Sequence, residues 1–131
     1  MHERHHDLCF GCGLANPFGL QLETAMPDDR RLEGRFFVKQ DHQGAPGRAH
    51  PGVITAALVE AMTLCAQALR REATLTGLEL RLLGPAQVGT FVEVAAKVVQ
   101  AEDDGLRIEA QARGEAGIVA RAHGLFAGGY V

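Results

Sequence analysis

The sequence has 131 residues, of which 47% are hydrophobic and 22% charged, and its formal net charge is −3. That length and balance suit one globular domain able to bury a core without disulfide or metal staples, and they exclude disordered and fibrous classes. A slightly acidic chain has no basic field to draw phosphate backbones, so nucleic acid is not an expected partner.

Residues 1–8 are polar and rich in histidine, and no basic stretch followed by an apolar run reads as a secretory leader. No segment is expected to supply the ~18–20 apolar residues that span a bilayer, so no membrane association and a cytoplasmic location are expected. Three cysteines, Cys9, Cys12 and Cys65, cannot all pair within one chain, which fits a reducing compartment.

In chain order, residues 1–17 read as an irregular N-terminal segment punctuated by Gly11, Gly13, Asn16 and Pro17. Two short alternating runs follow, Leu20-Gln21-Leu22-Glu23 and Leu32-Glu33-Gly34-Arg35-Phe36. The turn chemistry of Pro27-Asp28-Asp29 between them predicts a hairpin. Residues 39–51 carry Gly44, Pro46, Gly47 and Pro51, too broken for a regular element, and loops of this kind often carry function.

From 52 to about 71 the pattern becomes a long helix, with Pro51 at or near its first position and Arg70 and Arg71 at its negative end. On a helical wheel Val53, Ala57, Leu58, Ala61, Leu64, Cys65 and Ala68 make a broad apolar face, and Glu60, Thr63, Gln67, Arg70 and Arg71 share a narrow polar stripe. Such a helix must be almost wrapped by protein. Four period-two runs follow, around Leu78 to Leu82, Val92 to Val98, Leu106 to Arg113 and Ile118 to Ala127. Asp103-Asp104-Gly105 and Glu115-Ala116-Gly117 are tight-turn sequences that join the last three into an antiparallel meander. One greasy helix among antiparallel strands predicts a single α+β domain over 1–131, a curved sheet closing around the helix.

Four stretches, CFGCGLANPFGLQL, HQGAPGRAHPGVITAALVEAM, LELRLLGPAQVGT and ARAHGLFAGG, fall in the order and spacing of one family and cover nearly the whole chain. In them the sequence resembles the hotdog-fold acyl-CoA thioesterases of the phenylacetic-acid-degradation type. The resemblance implies a curved antiparallel sheet around one central helix. It also implies a homodimer joined edge to edge, with acyl-CoA sites at the subunit interface, and family members often assemble into homotetramers. No cofactor is implied beyond the coenzyme A carried by the substrate.

The family's reaction uses a backbone N–H at the helix N-terminus to polarise the thioester carbonyl, and a carboxylate further along as base or nucleophile. Two positions depart from that pattern. The family's His-Gly-Gly is His50-Pro51-Gly52 here, and proline has no N–H, so either Gly52 or Val53 substitutes as donor or the oxyanion hole is degraded. Pro51 can equally do no more than initiate the helix. The carboxylate position holds Val59, which leaves Glu60, one step around the helix, as the remaining acid, or as an ordinary interface acid near the arginines.

Thr63 matches a hydroxyl that positions water in some members, although a helical threonine often only bonds the preceding turn. Gln43 falls where the family places an amide against the thioester oxygen or water. His50 can cap the loop or contact substrate, and the structural role is the favoured one. The resemblance therefore assigns Glu60, Thr63, Gln43, Gly52 and His50 to a rearranged catalytic site. Val53 is assigned to the substrate site, and Arg48, Arg81 and Arg121 are candidates for the CoA phosphates because guanidinium binds phosphate bidentately.

Cys9 and Cys12 form a lone C-x-x-C with His2, His5 and His6 nearby, ligand types that suit zinc. A structural zinc site needs four well-spaced ligands, and Cys65 has a core-like setting, so no metal is expected. The leading functional expectation is hydrolysis of a small or aromatic acyl-CoA. The alternative is a non-catalytic hotdog protein that binds an acyl-CoA or related ligand. A dehydratase of the same fold lacks the needed Asp/His pair, and a ligand-sensing regulator would need a DNA-binding helix pair for which the chain has no room.

Overall fold

The computed structural model describes residues 5–128. Six strands form one antiparallel sheet: β1 (Glu23–Asp28), β2 (Arg31–Phe37), β3 (Thr74–Leu82), β4 (Phe91–Glu102), β5 (Gly105–Gly114) and β6 (Gly117–Ala127), in the order β1-β2-β4-β5-β6-β3. A 3-10 turn (Gln40–His42) and one long helix, α1 (Pro51–Leu69), lie between β2 and β3. The last three strands are the predicted meander, and β3 returns to pair with β6 as one edge of the sheet.

The first strand of the hairpin starts three residues later than its alternating run suggested, while the second spans its run with one more residue at each end. β1 starts at Glu23 and runs through Pro27, which an edge strand tolerates, and the turn is held by Asp28, whose Oδ1 accepts the Arg30 N–H at 2.9 Å. Leu20 and Leu22 precede the strand. Their N–H groups donate to Phe10 O and Gly11 O, so this run pairs with the N-terminal segment and both side chains enter the core.

The helix begins at Pro51 and buries Ile54, Ala57, Leu58, Ala61, Met62, Leu64, Cys65 and Ala66. It lies against the sheet face lined by Val92, Val94, Ala96, Ile108, Ala110, Ala122 and Phe126. Ala68 is exposed, and the helix ends at Leu69, because Arg70 has extended dihedrals; Arg70 and Arg71 therefore lie beyond the last turn and do not face its carbonyls from within it. Against the sequence expectation, this 19-residue helix is long and apolar enough to cross a membrane, with a mean hydropathy of 1.6. Here its apolar side is covered by the sheet, the ordinary destination of a core helix.

Candidate functional site

His50 organises the start of the helix. It is the N-cap residue, with extended dihedrals, and its ring Nδ1 accepts the Gly52 N–H at 2.8 Å. Its carbonyl accepts the Val53 N–H at 2.8 Å. Pro51 contributes no N–H, so the first three helical positions present no unengaged donor. Beside this end lies a depression of about 370 Å³ lined by Arg48, Pro51, Ile54, Leu82, Pro85 and Val119, among others. The helix N-terminus enters this surface through Pro51 and Ile54, and Arg48 brings a guanidinium suited to an anionic group, while His50 and Gly52, next to Pro51 in the chain, are not among its lining residues.

The other sequence candidates do not all converge there. The Gln43 side chain closes its own loop, its Oε1 accepting the Gly47 N–H at 2.5 Å. Val53 is half-buried with its amide taken. Arg81 and Arg121 are direct cross-strand partners, both exposed, on the sheet face away from the helix, so they do not join Arg48. Thr63 is half-buried on the same outward side of the helix as Ala56 and Val59, and among the described residues its hydroxyl has no hydrogen-bond partner. It lies 11 positions beyond Gly52, about 16 Å along the axis, so one chain cannot bring both to the same carbonyl.

Glu60 is the clearest correction. Its carboxylate does not face the Gly52 amide; its Oε2 lies 2.8 Å from His5 Nδ1 and accepts from Cys9 Sγ at 3.4 Å, under the N-terminal segment. The Cys9, Cys12, His5 and Glu60 ligand atoms all lie within 4.8 Å of one another. Burial disfavours charge on His5, yet Cys9 and the Glu60 carboxylate outweigh it and raise its pKa. Burial and the Glu60 carboxylate push the Cys12 thiol well above its ordinary value. His6 is exposed and stands outside this group, and His2 lies outside the described residues. Cys65 is also apart, its thiol pushed up to about 11 by burial in the core.

His42 was not singled out by any sequence signal. It is buried with its Nδ1 accepting the Lys39 N–H at 3.1 Å, and its Nε2 sits 3.2 Å from Gly19 O, which makes Nε2 the protonated nitrogen. This ring ties the loop before the helix to the N-terminal segment.

No protein-family model matches the sequence, and no curated protein matches it. Solved structures do. A thioesterase superfamily protein superposes with a TM-score of 0.84 at 18% identity over 93% of this chain, which spans only 61% of that protein. A mutant of the phenylacetic acid degradation protein PaaI from Thermus thermophilus gives 0.75 at 22% identity, covering 82% of this chain and 93% of its own. The chain has the hotdog fold. A third hotdog neighbour, a thioesterase-type protein from Streptococcus pneumoniae solved with coenzyme A, gives 0.77 at 14% identity over 83% of this chain and 87% of its own.

Proposed function

We propose that this chain hydrolyses a small or aromatic acyl-CoA thioester at the leading end of its helix, as a thioesterase-type hotdog protein. The observation that carries the reading is the His50–Gly52 contact beside the Arg48-lined depression. A thioester carbonyl oxygen that displaces His50 Nδ1 from the Gly52 N–H gains the oxyanion donor and, in the same movement, frees an imidazole lone pair to take a proton from water. Water then adds to the carbonyl carbon, the C–S bond breaks, and the CoA sulfur leaves with the proton returned by His50. Arg48 is suited to the phosphates of the CoA arm.

Thr63 joins such a site only from a second copy of the chain, given its distance along the helix. Support for that pairing comes from β3, which has a neighbour on one side only and exposes Leu78 and Leu82. An edge-to-edge homodimer through β3 would cover them.

A second reading, binding of an acyl-CoA without turnover, is favoured by a separate observation. Every first-turn amide is engaged, and the outward side of the helix carries Val59 where a carboxylate would serve. Measuring CoA release across acyl chain lengths decides between them. The hydrolase reading expects turnover that falls at least ~100-fold in His50→Ala. Acyl-CoA binding by calorimetry with no CoA release from any substrate leaves the binding protein.

A further inference from the structure

We propose that His5, Cys9, Cys12 and Glu60 form a structural zinc site that fastens the N-terminal segment to the central helix. This inference is independent of the thioester reading.

Two sulfurs, one imidazole nitrogen and one carboxylate oxygen converge from two parts of the chain separated by 51 residues. His5 Nδ1 lies 3.6 Å from Cys9 Sγ and 3.6 Å from Cys12 Sγ, and Glu60 Oε2 is 3.4 Å from Cys9 Sγ. Tetrahedral zinc with bonds of about 2.3 Å to sulfur and about 2.0–2.1 Å to nitrogen separates those ligands by about 3.6 Å. The three contacts to sulfur therefore have the spacing of a coordination shell, and only the 2.8 Å separation of His5 Nδ1 from Glu60 Oε2 would have to widen. Thiolate with imidazole and carboxylate favours zinc over magnesium or calcium, which take all-oxygen sets.

The surroundings are built for the same purpose. Gln67 Nε2 donates to Ala73 O, which turns its Oε1 to His5 Nε2 at 2.8 Å, so Nε2 carries the proton and the Nδ1 lone pair points into the cluster. That nitrogen lies 2.8 Å from the Glu60 carboxylate, a contact that a proton on Nδ1 bridges in the metal-free chain and that zinc, taking the proton's place, would open to about 3.3 Å. The His5 N–H donates to Cys12 Sγ at 3.1 Å, and the Gly11 and Cys12 amides point at Cys9 Sγ, the bonding that thiolates accept. A Cβ at Gly11 would lie 2.5 Å from the Glu60 carboxyl carbon, so a larger residue there would push the carboxylate out of the cluster. Four protein ligands leave no open position, which marks the site as structural.

Zinc also answers what the fold otherwise leaves loose. Residues 5–22 form no helix or strand, yet Cys12, Leu20 and Leu22 are buried, and a metal cross-link would hold that cover over the helix.

The test uses untagged full-length protein, because a polyhistidine tag would bind metal itself. Zinc is measured by plasma mass spectrometry after dialysis, and the zinc is then exchanged for cobalt. About one equivalent per chain is expected, with the cobalt form showing tetrahedral d–d bands and thiolate charge transfer. Glu60→Gln keeps the side chain's shape and should weaken zinc binding at least ~10-fold. Should Cys9→Ser or Cys12→Ser fail to fold, alkylation of the wild type substitutes: zinc should protect Cys9, and a chelator should expose it. Protein that retains no zinc after incubation with it, or a cobalt form without thiolate charge transfer, overturns the proposal and leaves a proton-bridged cluster.

Discussion

The Nδ1 atom of His50 accepts the backbone hydrogen of Gly52 at 2.8 Å, so one ring both caps the helix and occupies a first-turn donor. Cap and chemistry separate by substitution. His50→Ala leaves the Gly52 amide without a protein acceptor and should cost about 1 kcal/mol. For a chain of this size that lowers the melting temperature by about 3–5 °C. His50→Asn restores a good cap and should return the melting temperature to near the wild-type value, yet CoA release should stay as low as in His50→Ala. Recovery of turnover in His50→Asn would reduce the imidazole to a cap.

Two glycines of the N-terminal knuckle should respond differently to alanine. At Gly13 the added Cβ meets backbone, at Asp7 O and Cys9 N, and neither can swing aside. Gly13→Ala should therefore lose roughly 1–3 kcal/mol in a denaturant titration. At Gly11 the nearest atoms belong to the Glu60 side chain, which can rotate away. Gly11→Ala should cost less stability but displace Glu60 from His5, seen as a changed His5 ring shift by NMR. A Gly11→Ala protein less stable than Gly13→Ala would contradict this geometry.

The fold was legible because its signals are periodic. Alternation across β4, β5 and β6 and the apolar run of α1 carry their own register, and each element lies within a few residues of its expected place. The hairpin boundary slipped because Leu20 and Leu22 alternate like a strand while pairing with Phe10 and Gly11. The site was harder to read. A helical wheel puts Glu60 and Thr63 on one stripe, but nothing in the spacing says that the N-terminal segment covers Glu60 and leaves Thr63 open. The partner of Glu60 lies 51 residues away, and that pairing exists only in three dimensions. The cysteine-rich stretch likewise gives no sign, read by itself, that Glu60 of the helix lies among its side chains.

Stability should fall as the medium becomes acidic, because of His42. Burial holds its pKa below the ordinary 6.5, and the Lys39 charge adds to that, against the smaller opposite pull of Gly19 O and Asp41. The sign follows from which state binds the proton first. Above about 6.5 the ring is neutral in both folded and unfolded chains and its contribution is complete. Below that, the unfolded chain takes a proton that the folded chain refuses, so stability declines until the pH reaches the lower folded value. Beside burial, the Lys39 N–H already occupies Nδ1, the nitrogen that would take the proton. Denaturant midpoints measured from pH 7.5 to 5 should drop less in His42→Gln than in the wild type, while an identical slope in both would remove His42 as the cause.

Replacing two residues at once gives the sharpest separation of hydrolase from binding protein. Val59 is half-buried on the outward side of the helix, the side that Thr63 shares. Val59→Asp would therefore place a carboxylate on that outward side without disturbing the buried face. Pro51→Gly adds an N–H at the first helical position, where His50 Nδ1 already holds the Gly52 hydrogen, so the new donor would be free to meet a carbonyl oxygen. If His50 and Gly52 already run the reaction, the double variant should change kcat/KM by less than ~10-fold, because a second donor and base add to groups already in use. If the chain only binds its thioester, the same pair should create CoA release where the wild type shows none. Size-exclusion chromatography of both proteins must show the same assembly, since a site shared between two copies vanishes with the pairing.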